Sequence, residues 1–268
     1  MLGKYIQIFK ISFAQEFAYR LNFIMWRVRN VMQIFLVFFL WSSVFSDPTR
    51  VVFGYNKEKI LTYVFGILIL KAIVLSARTV DVAGEISRGD LTNFLLKPVS
   101  YFKYWFSRDI SSKALNLGFA AIETLILFII LKPPFFIQTD PSALLAFATS
   151  LVIAVVLFFA LLFLVNIVAF WMPENGWAAQ FLFVVIITEF LSGGVFPLDI
   201  FPAAFQKVLY FLPFPYLLFF PLQVYLGKIA GTQAWGGIMI SAFWALVLLL
   251  CLNLVWNKGI RRYAAEGR

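Results

Sequence analysis

Six apolar segments, each long enough to form a helix across a hydrocarbon layer, dominate this chain. They cover residues 30–45, 60–77, 114–131, 143–171, 177–196 and 235–256. A layer about 30 Å thick needs roughly 20 apolar residues per helix, with allowance for tilt. The chain has 268 residues, of which 62% are hydrophobic and 13% charged, whereas soluble domains carry about twice that share of charge. We therefore predict an all-α polytopic membrane protein with one transmembrane domain over residues 1–268.

Lysine and arginine are distributed unevenly around these segments. With a cytoplasmic N-terminus, fifteen of them lie on the inner side and six on the outer side. This bias predicts six transmembrane helices with both termini in the cytoplasm. It also accounts for the net charge of +9 without a nucleic-acid partner.

A seventh apolar stretch, residues 208–226, contains Pro213, Pro215 and Pro221. Prolines remove backbone donors and break helices, and a seventh span would place the basic C-terminal tail outside. We therefore interpret residues 197–226 as a re-entrant outer hairpin between spans five and six. Its helix beginning near Pro202 is predicted to present one apolar face, formed by Phe205, Val208, Leu209 and Leu212.

The turn into this hairpin is predicted at the end of the fifth span. Gly193, Gly194 and Pro197 follow each other closely there, and such residues allow the chain to break and turn back. Because irregular backbone at membrane depth must be covered by protein or water, the hairpin is expected to line or cap a pathway.

Residues 1–20 are predicted to form an amphipathic helix in the cytoplasmic interface. Apolar residues recur at helical spacing on one face, namely Leu2, Ile6, Phe9, Phe13 and Phe17. The alternative is an irregular extension of the first span.

The longest cytoplasmic loop, residues 78–113, is predicted to contain a short helix. Asp90 can cap a helix over residues 91–96, which must stop near Lys97 because Pro98 follows. Its apolar side would present Leu91, Phe94 and Leu95. This has the form of a docking surface, and the alternative is a membrane-surface helix whose Arg88 and Lys97 meet anionic lipid.

Three ionisable residues, Lys71, Glu123 and Glu189, lie within the apolar segments. Charges in hydrocarbon are costly, so each is a candidate for the transport pathway or for pairing between helices. Lys71 could instead snorkel to the inner surface, and Glu189 could pair with a neighbouring helix. We predict no catalytic site, no metal site and no cofactor, because the chain has no histidine, one cysteine and no phosphate-binding P-loop.

The chain resembles the type-2 permease family of ATP-binding cassette (ABC) transporters over nearly its whole length. The resemblance rests on Glu85-Ile86-Ser87-Arg88-Gly89-Asp90, on Phe94-Leu95-Leu96-Lys97-Pro98-Val99 and on Ser192-Gly193-Gly194-Val195-Phe196-Pro197, together with the predicted spans. It is closest to the bacterial branch in which the permease is encoded apart from its ATPase.

The resemblance implies a membrane subunit of an ATP-driven exporter in the bacterial plasma membrane. ATP and Mg would be bound by separate ATPase subunits, and the chain would pair with a second copy or a related permease among membrane lipids. The implied ATPase-coupling residues are Glu85, Ile86, Arg88, Gly89, Asp90, Leu91 and Phe94. The alternative is an ion- or proton-coupled secondary transporter that uses Glu123 and Glu189; a membrane-embedded enzyme is disfavoured by the lack of a nucleophile, base or metal constellation.

Overall fold

The computed structural model describes residues 2–16, 20–47 and 49–263, and these residues are built almost entirely from helices. The α-helices in this described part are α1 (Leu2–Glu16), α2 (Arg20–Val44), α3 (Lys57–Val74), α4 (Val82–Ser87), α5 (Thr92–Leu95), α6 (Tyr101–Leu131), α7 (Pro141–Asn166), α8 (Gly176–Phe181), α9 (Glu189–Leu191), α10 (Ala203–Tyr210), α11 (Phe219–Tyr225) and α12 (Gly231–Arg262). A π-helix, Leu182–Thr188, connects α8 to α9. The predicted all-α class is confirmed for these residues.

Three helices of the described chain are long and apolar enough to cross a membrane: α6, α7 with its 3₁₀ extension to Phe170, and α12. A fourth candidate is α3 taken together with Thr79–Ser87, although the two parts are bent by 53°. Helix α2 also covers a predicted span, but Arg27, Arg29 and Gln33 lower its apolarity. The six-span count therefore stays a prediction.

Each predicted span lies largely on helical structure, and the third and fifth spans differ most from expectation. Helix α6 begins at Tyr101, so residues 101–113, which we placed in the cytoplasmic loop, are its first turns. The fifth predicted span is divided into α8, the π-helix and α9. By contrast, α7 begins as expected, because the Asp140 carboxylate accepts the Ser142 N–H at 2.9 Å and Pro141 occupies the first helical position.

Helix α7 lies at the centre of the fold and packs against α12, α11 and α3. Its most apolar window has a mean hydropathy of 3.2, and 56% of that window is buried inside the protein. Such an apolar helix can bury many sides at once because almost none of its side chains needs water. Helices α6 and α12 leave long apolar faces exposed, as expected of helices that contact lipid.

The proline-rich segment forms a broken helix that is largely buried, and its re-entrant course through the membrane stays a prediction. Helix α10 ends at Tyr210, a 3₁₀ turn follows, and α11 is only seven residues long. Within α11, Phe219, Phe220 and Leu222 are almost fully buried, and Gly66 of α3 leaves room for the Leu222 side chain.

The predicted apolar face of α10 lies mostly on the surface of the protein. Leu209 is buried, but Phe205 and Val208 are exposed. Gln206 takes the inward position one turn earlier, where its side chain donates to the Phe201 carbonyl at 2.8 Å. A polar residue that satisfies loop carbonyls therefore lies on the inward side of α10, and Phe205 and Val208 lie on its outer side.

Helix α1 packs against α6, and this contact rotates its inward face away from the predicted stripe. Tyr5, Ile8 and Ser12 turn inward with Phe9 and Phe13, whereas Ile6 is about half exposed. Packing against α6, and not only the boundary between lipid and water, therefore determines which side of α1 is buried. Phe17, the last residue of the predicted stripe, lies outside the described residues.

Candidate functional site

A central cavity of about 440 Å³ lies between α2, α3, α6 and the segment around α9. We call this space the central cavity throughout. Its polar and charged lining residues are Arg27, Arg29, Asn30, Gln33, Lys71, Ser76, Arg78, Ser112, Asn116 and Glu189. The rest of the lining is mostly apolar, with aromatic residues at Trp41 and Tyr63. The volume is typical of a small-molecule binding site.

Lys71 and Glu189, two of the intramembrane candidates, form an ion pair beside this cavity. The Lys71 Nζ lies 2.6 Å from Glu189 Oε2, and both side chains are largely buried. Gly194 packs directly against the pair, because a Cβ there would lie 2.8 Å from Glu189 Oε2 and 3.1 Å from Lys71 Cε. Lys71 of α3 and Glu189 of α9 therefore pair with each other between two helices.

Glu123, the third candidate, pairs with Arg27 of α2. The Arg27 Nη1 lies 3.3 Å from Glu123 Oε2, and the same guanidinium donates to the backbone carbonyl of Asn116 at 3.4 Å and to its side chain. The Phe119 ring lies 5.6 Å from the guanidinium carbon. Glu123 thus holds a cavity-lining arginine in place.

The break after α9 forms where the sequence predicts it. Gly193 has a φ of +79°, a conformation that residues with a Cβ rarely adopt. The Ser192 carbonyl accepts the Phe219 N–H at 3.0 Å, which ties the break to α11. Pro197 starts the next turn with an extended backbone.

A polar network joins this hairpin to two other loops at the end of the molecule away from α4. The Asp199 carboxylate accepts hydrogen bonds from the Tyr55 hydroxyl and the Lys228 ammonium, both at 2.7 Å, and from Gln223 at 3.2 Å. Burial lowers the pKa of Lys228 and raises the pKa of Tyr55. Sequence reasoning missed this network, because its members come from separate parts of the chain with no shared motif.

The coupling residues implied by the resemblance lie on α4, on the turn after it and, for Phe94, on α5, but several are buried. Glu85 accepts a 2.8 Å hydrogen bond from the Tyr101 hydroxyl, and Ile86 and Leu91 are buried in an aromatic cluster with Trp105. Gly89 has a φ of +82° and closes α4 in the way typical of a glycine after a helix end.

The predicted Asp90 cap is wrong. Helix α5 spans Thr92–Leu95, and no side-chain cap bond is present at its start. The Asp90 carboxylate instead lies 3.0 Å from Arg88 Nε, because the Gly89 turn brings the two side chains together.

The most exposed apolar side chains of this loop lie in the Leu-Leu-Lys-Pro turn, residues 95–98. Leu95 is 47% exposed and Leu96 82% exposed. Phe94, by contrast, packs against Tyr104 with ring centroids 4.8 Å apart. The surface available to a partner is therefore shifted toward residues 95–98, away from Leu91 and Phe94.

Asp109 and Lys113, one turn apart on α6, bind the two sides of the bend between α3 and α4. Asp109 accepts the backbone N–H groups of Arg78 and Thr79 at 2.7 and 2.8 Å. Lys113 donates to the Val74 carbonyl at 2.9 Å. Sequence reasoning missed this arrangement because both residues were assigned to a loop, although their four-residue spacing is a recognisable helical signal.

Long apolar helices, ion pairs buried between them and a buried broken-helix hairpin together define a multi-pass helical membrane protein. Residues 31–267 match the family model described as ABC-2 family transporter protein, so the chain belongs to this family. The chain is therefore a membrane permease of an ABC transporter, which is a transport component and not itself a nucleotide hydrolase. Family membership implies an ABC ATPase subunit as partner. No curated protein matches the chain.

Proposed function

We propose that this permease is the membrane subunit of an ATP-driven exporter in the bacterial plasma membrane, with both termini cytoplasmic. ATP and Mg are bound by separate ATPase subunits, and a second copy or a related permease completes the transporter. In this proposal the central cavity is part of the pathway, and the outer hairpin closes its far end.

The observation that carries the proposal is the exposed turn at residues 95–98. Two exposed leucines, Leu95 and Leu96, are next to a basic residue and a proline, on a loop anchored by buried aromatic residues. A small apolar patch with a polar rim is typical of a protein contact. We propose that the ATPase contact consists of these leucines with Arg88 and Asp90, while Glu85, Ile86, Gly89, Leu91 and Phe94 support the surface from inside.

The anchoring supports transmission of movement from this surface to the cavity. Glu85 of α4 is bonded to Tyr101 of α6, and Asp109 of α6 holds the N–H groups that precede α4. A displacement of α4 would therefore move α6 and the end of α3, both of which line the central cavity.

The membrane-surface alternative has less support. The Arg88 charge is engaged by Asp90 at 3.0 Å, and Lys97 Nζ lies 4.7 Å from the centroid of the Phe94 ring. Cations held in this way are less available to lipid headgroups than extended side chains would be.

The direct test is a double variant, Leu95→Ala with Leu96→Ala, co-expressed with the candidate ATPase. Losing an apolar anchor costs about 2 kcal/mol, roughly thirtyfold in affinity, so we expect ATPase to be lost during purification and stimulated hydrolysis to fall. Leu36→Ala is the matched control, since Leu36 is 72% exposed on α2 far from this loop. A double variant with the wild-type subunit ratio and wild-type hydrolysis would remove the ATPase-contact assignment.

A second measurement separates ATP drive from ion coupling. Transport by inside-out vesicles should continue when an uncoupler is added and ATP is held constant. Loss of transport under these conditions would favour the secondary transporter that uses Glu123 and Glu189.

A further inference from the structure

We propose that the central cavity binds an anionic amphiphile, with the anionic headgroup among the basic residues and the apolar part extending toward Trp41. This assignment deepens the proposed function, since it names the substrate class of the same pathway. The two are tested separately below.

The lining of the cavity changes character along α2. Arg27 and Arg29 line it near the beginning of the helix, whereas Val37 and Trp41 line it more than two turns later. A ligand lying along this helix therefore meets charge at one end and apolar surface at the other.

Along α3 the cavity lining changes in the opposite order, from apolar residues to basic residues. Val64 and Ile67 line the cavity in its middle, and Lys71 and Arg78 line it at and beyond its end. Phe38 of α2 packs edge-on against Phe65 of α3, so the apolar halves of the two helices adjoin each other. The basic ends consequently lie together as well.

The charges around the basic end favour an anion. Four basic residues line the cavity, namely Arg27, Arg29, Lys71 and Arg78, against one acidic residue, Glu189. Two more carboxylates bind these cations from behind: Glu123 at 3.3 Å from Arg27, and Asp81 at 3.8 Å from Arg78. An arginine can hold such a carboxylate and an anionic ligand at once, because it has five N–H donors.

Amide and hydroxyl groups extend this polar end. Asn30, Gln33, Ser112 and Asn116 also line it, and such groups bind the oxygen atoms of a phosphate or sulfate headgroup. At the end of the cavity near Val37 and Trp41, the Tyr63 hydroxyl is a polar group of the lining, and it is bonded to the Gly193 carbonyl. A small soluble anion would leave that apolar end unfilled, and a neutral chain would not use the N–H donors of the basic residues that line the polar end.

The polarity also matches the orientation of a lipid in the inner leaflet. In the predicted topology the basic ends of α2 and α3 lie on the cytoplasmic side. A headgroup in the inner leaflet lies at this level, and its chain points toward the membrane centre. The amphiphile would therefore enter without turning over.

The test uses Trp41 as the reporter on the full-length permease purified alone in a neutral detergent. The probes are lysophosphatidylglycerol and lysophosphatidylcholine with the same brominated acyl chain, because bromine quenches nearby tryptophan fluorescence. The Trp41→Phe variant identifies the Trp41 contribution to the quenching. We expect saturable quenching of Trp41 by both probes, with the anionic probe effective at about tenfold lower concentration.

Two variants test the two ends of the cavity. Arg29→Gln should reduce the anionic preference severalfold, while the matched control Arg261→Gln, an exposed cation at the end of α12, should leave it unchanged. Val37→Phe should weaken both probes by filling the apolar end. The melting temperature of each variant establishes that it is folded.

Three results would overturn the assignment. Equal quenching by the two probes would mean an apolar void that accepts any chain. An anionic preference that survives Arg29→Gln unchanged, or quenching that does not involve Trp41, would place the binding elsewhere. Since the assay contains no ATPase, these failures leave the exporter proposal intact, and loss of ATPase coupling would leave the binding result intact.

Discussion

The Tyr63 hydroxyl donates a 2.6 Å hydrogen bond to the carbonyl of Gly193, so a side chain of α3 holds the residue at which the fifth predicted span breaks. Tyr63 also lines the central cavity. The neighbouring carbonyl of Ser192 is bound by α11. The break is thus fixed from two sides, and the position of α9 with Glu189 depends on it.

Gly193→Ala should destabilise the protein. The φ of +79° costs about 1–2 kcal/mol for a residue with a Cβ, and the new atom would lie 2.8 Å from the Tyr63 hydroxyl oxygen. We expect a clearly lower melting temperature in detergent. Gly118→Ala is the control, because a Cβ at Gly118 meets nothing within 4 Å; equal melting temperatures for the two variants would refute the prediction.

Asp109→Asn should also destabilise the protein, by about 2–3 kcal/mol. The buried carboxylate accepts two backbone N–H groups and the Thr79 hydroxyl, and an amide leaves at least one of these donors unsatisfied. Thermal unfolding of this variant beside the exposed control Asp90→Asn measures the effect. A loss of stability no larger than that of the control would mean that Asp109 does not hold the bend.

Lys71 and Glu189 should behave as a structural pair in a double-mutant cycle. Lys71→Met or Glu189→Leu alone leaves one buried charge without its partner, which typically costs about 3–5 kcal/mol. The double variant should lose much less stability than the two single losses added together. Additive losses in chemical unfolding would show that the two residues act independently.

The predicted topology can be tested with single cysteines in a Cys251→Ser background, because native Cys251 is exposed. An impermeant thiol reagent added to intact cells should label Val51→Cys and spare Arg261→Cys. Labelling at position 261 would imply an odd number of spans. It would also remove the re-entrant interpretation of residues 197–226.

Elements with a strong local cause were predictable from the sequence. The start of α7 follows from Asp140 and Pro141, and the break at Gly193 follows from adjacent glycines and a nearby proline. In these places the backbone chemistry permits few alternatives, so the pattern alone determines the structure.

Features set by tertiary contacts were not predictable in this way. For a single apolar residue such as Leu91, the sequence pattern does not indicate whether the side chain contacts a partner protein or the aromatic cluster of its own chain. Asp109 and Lys113 were assigned to a loop, because the charged first turns of α6 interrupt the apolar pattern that marks a span. The Asp90 cap failed because α5 begins at Thr92, so that Leu91 takes the capping position, and the Asp90 carboxylate pairs with Arg88.

The π-helix between α8 and α9 makes this part of the chain tolerant of changes in length. In a π-helix the hydrogen bonds reach one residue further than in an α-helix, so the segment Leu182–Thr188 holds extra chain within an otherwise helical path. Deleting one residue there can be absorbed by conversion to α-helical bonding, which keeps Glu189 in phase with Lys71. A one-residue deletion within α7 would instead rotate every following side chain by about 100° around the helix axis. Natural variation in length is therefore expected in the π-helix rather than in α7.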